Sequence, residues 1–245
     1  MATVSVSHVW KEFGPQVVLE NLHFEVAEQE FVTIIGASGC GKTTFLRMLL
    51  GVERPTRGEI RIDGEPLHPE PGPDRGIVFQ RYSLFPHLTA IQNLVLGLEL
   101  KRARLSGRLF GNRRRVALQR AAELLEQVGL AAARDRYPAQ LSGGMQQRLS
   151  IAQSVICEPK ILLLDEPFGA LDPGITADMH KLITELWSAN RMSIFMISHD
   201  IRESFQLGTR LLTFDRPRVD PQSPERYGAS VTYDLRLKSK LHSQH

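Results

Sequence analysis

Eight consecutive residues, Gly36-Ala37-Ser38-Gly39-Cys40-Gly41-Lys42-Thr43, constrain this chain more than any other stretch. They follow the pattern glycine, four residues, glycine, lysine, then serine or threonine. A short β-rich apolar run, residues 31–35, precedes them. Phe45, Leu46, Leu49 and Leu50 recur behind them at helical spacing. The predicted local structure is a strand, a glycine-rich turn and a helix. Glycines let the backbone curl so that successive N–H groups point inward at phosphate oxygens. The start of the helix adds a positive partial charge at the same place. Lys42 can neutralise the outer phosphates, and the Thr43 hydroxyl can ligate Mg²⁺. Gly36, Ser38, Gly39, Cys40, Gly41, Lys42, Thr43 and Thr44 are the predicted phosphate contacts. On this octapeptide alone, a small-molecule kinase and a GTPase remain in competition.

A second feature narrows the chemistry. The run Ile161-Leu162-Leu163-Leu164 ends in Asp165-Glu166. A carboxylate at the end of a buried strand beside such a loop can hold Mg²⁺ or its waters, which suits Asp165. Glu166, one residue beyond, can orient or deprotonate an attacking water.

Around these sites the periodicity alternates between two and 3.6. Residues 3–9, 23–26, 59–62, 76–79, 193–197 and 210–214 read as strands, with Asp63-Gly64 as a hairpin turn. Residues 89–158 are helical in pattern: Leu118, Ala121, Ala122, Leu125 and Val128 share a face, and Gly129 is a stop signal. Ile175, Met179, Leu182, Ile183 and Leu186 mark another helix. The basic, glycine-punctuated residues 101–115 read as an exposed connection between helices. The tail after Asp215 is proline-rich and then polar, with loose last residues. The expectation is an α/β core interrupted by a helical lobe.

The chain has 245 residues, enough for one domain with a substantial core or a domain with an inserted lobe. A formal net charge of +3 is too small to imply nucleic-acid binding, and no nucleic-acid partner is expected, although a pI near 9.0 keeps that option open. Two cysteines, Cys40 and Cys157, argue against a disulfide framework and fit a reducing cytoplasm. Residues 1–9 lack the features of a signal peptide. No apolar run approaches the roughly 20 residues needed to span a bilayer. Any service to a membrane is expected to run through partner chains.

Leu141-Ser142-Gly143-Gly144-Met145-Gln146-Gln147-Arg148 resembles the signature motif of the ABC ATPases. Ser142 and its glycines have the composition of a helix start, with N–H groups that have no partner within the helix. The resemblance covers roughly residues 3–235 and implies a P-loop NTPase core of ABC ATPase type, with an antiparallel β subdomain and an inserted α-helical subdomain. It divides the chain into a core of residues 1–88 and 159–245 and a helical subdomain of residues 89–158. It implies that Ser142, Gly143, Gly144 and Gln146 face the ATP held by a second copy, so that two nucleotides lie head to tail between subunits. Gln80 matches the glutamine that touches Mg²⁺ and attacking water. His199 matches the switch histidine at the γ-phosphate. Ala170-Leu171-Asp172 matches the D-loop, and Phe13 sits where an aromatic stacks on adenine.

The same resemblance implies an ATP-hydrolysing motor at the cytoplasmic face of the cell membrane, acting on separate transmembrane permease subunits. Arg81, Tyr82, Ser83, Leu84, Phe85, Pro86, His87 and Leu88 would line the groove for a permease helix. Residues 74–80, 166–172 and 214–218 resemble the ATPases of nitrate, taurine and alkanesulfonate importers, which also use an extracytoplasmic solute-binding protein. A lipid or drug exporter ATPase and a non-transport ABC ATPase are the alternatives. Pro173-Gly174, Thr209 and the basic insertion at 101–115 depart from the family pattern; none removes a catalytic group.

Overall fold

The computed structural model describes residues 2–79, 83–102, 108–169, 171–223 and 225–237, with backbone alone at Arg102. The chain opens with an antiparallel hairpin, β1 (Val4–Phe13) and β2 (Gln16–Val26). Then come β3 (Phe31–Gly36), α1 (Lys42–Leu50), β4 (Arg57–Ile62), β5 (Glu65–Pro66) and β6 (Arg75–Val78). Three helices follow: α2 (Ala90–Arg102), α3 (Gly111–Gln127) and α4 (Gly143–Val155). The chain continues with β7 (Ile161–Asp165), α5 (Pro173–Asn190), β8 (Ser193–Ile197), α6 (Ile201–Leu207), β9 (Arg210–Asp215) and β10 (Ser230–Arg236).

Two sheets result. The first is antiparallel, in the order β2-β1-β4-β5. The second runs β10-β9-β3-β8-β7-β6, parallel from β9 to β6, with β10 antiparallel on its edge. Alternation along the parallel strands divides the apolar core between two faces. Leu162, Leu164, Ile194 and Met196 join the core built by α2, α3, α4 and α5. Ile161, Leu163, Phe195 and Ile197 join the core of α1 and the antiparallel sheet. Within the helical region α2 packs on α3 and α4. Its apolar residues are continuous with one face of the parallel sheet, because Ala90, Ile91 and Leu94 belong to the same core as Phe31 and Leu164.

Several expectations need adjustment. The first two strands are longer than residues 3–9 and 23–26, since their cross-strand partners extend the ladder to the hairpin turn. The basic stretch 101–115 is not all connection. α2 runs to Arg102, and α3 begins at Gly111, whose φ of 57° turns the chain into the helix. The tail is not merely polar: β10 pairs with β9 from Ser230 to Arg236. The α6 helix went unpredicted. Asp63 and Gly64, with φ of 54° and 80°, make the expected turn between β4 and β5.

Candidate functional site

Parallel pairing places Gly36 at the end of β3, Asp165 at the end of β7 and Ile197 at the end of β8 side by side. Ile34 and Asp165 both pair with Ile197. The carboxyl edge of a parallel sheet is where such folds bind ligands. The loop after β3 turns through Gly39 (φ 76°) and Gly41 (φ 93°), and Gly41 caps α1. Glycine is required at Gly41 twice over. Its φ is left-handed, and a Cβ there would lie 2.7 Å from Leu19 Cδ2. Gly36 is packed as closely, since a Cβ would lie 2.1 Å from the Phe214 carbonyl oxygen.

Lys42 is buried, and its ammonium donates to the carbonyls of Gly36 at 2.8 Å and Ala37 at 2.9 Å. Its third proton faces Cys40 Sγ at 3.9 Å. The cation is thus held at the loop itself. The Thr43 hydroxyl donates to Asp165 Oδ1 at 3.3 Å, joining the helix start to the end of β7. Burial pushes the Asp165 carboxyl above its ordinary range, and the Thr43 hydrogen bond opposes that rise.

Glu166 has a φ of 50°, a left-handed conformation costly for a side chain with a Cβ. Its N–H bonds to the Ile197 carbonyl at 3.2 Å, and its Oε1 lies 2.5 Å from His199 Nε2. A groove of about 210 Å³ opens between these groups. Val18, Ser38, Gly39, Gly41, Lys42, Thr43, Thr44, Glu166 and His199 line it. The chain therefore brings the phosphate loop, one acid and the histidine to one cleft, with Asp165 joined to its rim through Thr43. Phe13 stands exposed at the end of β1, with Lys11 Nζ 4.6 Å from its ring centroid; it is not among the lining residues. Gln80 lies outside the described residues, as do Arg81, Tyr82 and Ala170.

The residues of the predicted second phosphate-binding end lie on another element. Ser142 caps α4, accepting from Met145 N at 3.3 Å, with Ser142 and Gly143 exposed and Gly144 buried against Ile175. None of them lines the groove of their own chain. Gln146 spends its amide on the carbonyls of Pro138 and Leu141, each at 3.1 Å, so it fixes the loop before the helix. The neighbouring Gln147, which the motif alone gives no role, is buried and donates to the Pro167 carbonyl at 2.7 Å. It ties α4 to the segment just after Glu166.

Comparison with known proteins identifies the family. The family model described as ABC transporter matches residues 19–169. The nitrate import ATP-binding protein NrtD of Synechocystis sp. is 43% identical over 81% of this chain and 71% of its own length. The aliphatic sulfonates import ATP-binding protein SsuB of Burkholderia ambifaria is 39% identical over 90% of this chain and 64% of its own. Among solved structures, a dimeric ATP-binding cassette in a post-hydrolysis state, bound to ADP and Pi, superposes with a TM-score of 0.75. It is 30% identical over 96% of this chain and 99% of the other. The chain belongs to the ABC transporter family and is one of its ATPases.

Proposed function

We propose that two copies of this chain close head to tail on ATP and drive import of a small anion through separate permease subunits. One observation carries the proposal. The phosphate loop, Glu166 and His199 share a cleft, while the exposed start of α4 stands on another element and lines no part of it. A helix start has N–H groups without an intrahelical partner and favours anions. A second copy is the source of such an end for the outer phosphate, and the dimeric solved relative supports that arrangement.

In this reading Lys42 and the loop N–H groups grip the β- and γ-phosphates, and Glu166 accepts a proton from the attacking water. The new O–P bond forms as the bond between the β,γ-bridging oxygen and the γ-phosphorus breaks. His199, whose Nε2 lies 2.5 Å from the Glu166 carboxylate, orients that group and reaches the transferred one. Thr43 and Asp165 fit Mg²⁺: two oxygen ligands stand together, a typical protein share when phosphates and water complete the shell. Bound there, the ion would neutralise charge on the phosphates. Gln80, matched by resemblance, would be a further ligand. Phe13, on the hairpin whose second strand supplies Val18, is assigned to adenine.

Residues 89–158 are read as the lobe that carries α4 against the partner copy. Separation of the copies after hydrolysis would switch the permease between access states, a population shift driven by differential binding. The importer direction rests on the names of the nitrate and sulfonate import relatives. The permease partners, the external solute-binding protein and the place at the cytoplasmic face rest on the resemblance of the sequence motifs to importer ATPases. No helix among the described residues is long and apolar enough to cross a membrane.

Replacing Glu166 by Gln tests the reading. ATP affinity should stay within about twofold while turnover falls by about 10²–10³, the scale of losing a catalytic proton acceptor. ATP should then hold the variant as a dimer in light scattering. Undiminished phosphate release would overturn the assignment.

A further inference from the structure

We propose that His180 of α5 and Glu203 of α6 are positioning residues for hydrolysis, holding the loop that carries His199. The inference rests on the role given to His199 above.

His180 lies on the buried face of α5 beside Met179 and Ile183, where an aliphatic side chain would pack without polar cost. Its ring packs at a steep angle against Phe168, with centroids 4.8 Å apart, and Phe168 is two residues past Glu166. Its Nε2 is buried without a hydrogen-bond partner among the described residues and faces Glu203 Oε1 at 3.5 Å, too long for a good hydrogen bond. The other oxygen of Glu203 accepts the Ser198 hydroxyl at 2.5 Å. Ser198 Oγ in turn accepts from the Asp200 N–H at 2.9 Å, and Ser198 N–H donates to the Ile34 carbonyl at 3.2 Å. The backbone is thus pinned on both sides of His199. His199 itself reaches back to Glu166.

The contacts close a circuit. Glu166 meets His199; the adjacent Ser198 meets Glu203; Glu203 faces His180; His180 packs on Phe168, which follows Glu166 in the chain. Of these links Ser198 to Glu203 is the hydrogen bond, and polar contacts beside it act more strongly in a low-dielectric interior than in water. A half-buried carboxylate such as Glu203 needs partners on both oxygens. Ser198 serves one and His180 faces the other. Without His180, Glu203 can turn toward solvent, Ser198 loses its anchor, and the His199 loop gains freedom. Small misplacements of a catalytic group are costly in rate.

The test compares ATP affinity and turnover across five variants of the full chain. His180→Leu, Glu203→Leu and Ser198→Ala should each lower kcat by about tenfold while ATP affinity stays within about twofold. His180→Gln, whose amide can donate to Glu203, should recover most of the loss. His199→Ala should lose nearly all turnover. If His199→Ala stays active, the site reading above fails. If His199→Ala is dead but His180→Leu and Glu203→Leu turn over normally, this inference alone fails. It fails equally if His180→Leu lowers kcat, ATP affinity and Tm together with no rescue by Gln. If His180→Leu does not fold, Ser198→Ala decides on the same criterion.

Discussion

Asp165 stands where its charge is expensive. Burial raises its carboxyl above the ordinary range, against the Thr43 hydroxyl that favours the anion. A carboxyl whose folded pKa exceeds its unfolded value binds its proton more tightly in the folded state. That contribution to stability is full below the unfolded pKa and is lost as pH rises through the folded one. Once the carboxyl ionises, the nucleotide-free fold therefore carries a partly desolvated anion, which a bound cation would offset. Asp165→Asn should raise the Tm of the nucleotide-free protein at pH 7.5 by a few degrees. The gap from wild type should close as pH falls toward the carboxylate range. The same substitution should abolish the Tm increase that MgATP gives the wild type. Thermal scans at two pH values, with and without MgATP, check all three; a lower Tm for the variant at pH 7.5 would refute the cost assigned to the anion.

At the scale of elements, Arg210 shows how the last strands are joined. Its guanidinium pairs with Asp234 through two 2.7 Å bonds, with Glu30 Oε2 at 3.0 Å, and with the Glu25 carbonyl. One side chain at the start of β9 thus ties β10, the end of β2 and the turn before β3. Arg210→Leu leaves Glu30 and part of Asp234 without a counter-charge and should cost about 3 kcal/mol in urea unfolding, with ATP affinity little changed. The same contact explains what the sequence could and could not reveal. The phosphate loop, the acids at 165 and 166 and the Ser142 cap are local patterns, because a cradle or a helix cap needs particular residues at adjacent positions. The β10 strand is half-exposed and mixed in polarity, and its antiparallel ladder with β9, distant in sequence, defines it. The first turn of α3 is basic and exposed, so it has no apolar stripe to betray a helix. His180 was hidden for a related reason: helical periodicity marks Met179, Leu182, Ile183 and Leu186 as core but is silent on a buried imidazole whose partner is on α6.

The whole molecule must assemble if each site is composite, and a mixing experiment separates that from a site built within one chain. Lys42→Ala removes the cation of the phosphate loop. Ser142→Arg fills the exposed cap of α4 with a bulky side chain. Each variant alone should be inactive, because every site in its homodimer lacks one half. In a head-to-tail pair of the two variants, one site combines both lesions. The other site combines the intact loop of the Ser142→Arg copy with the intact helix end of the Lys42→Ala copy. Random exchange makes about half of the dimers mixed, each with one sound site of two, so activity should return to about a quarter of wild type if sites act independently. Were Ser142 to serve the loop of its own chain, both copies in every mixed dimer would remain defective, and mixing would restore nothing. The recovery should also scale as the product of the two concentrations at low protein and saturate once dimers dominate. That concentration dependence distinguishes true complementation from residual activity of either variant.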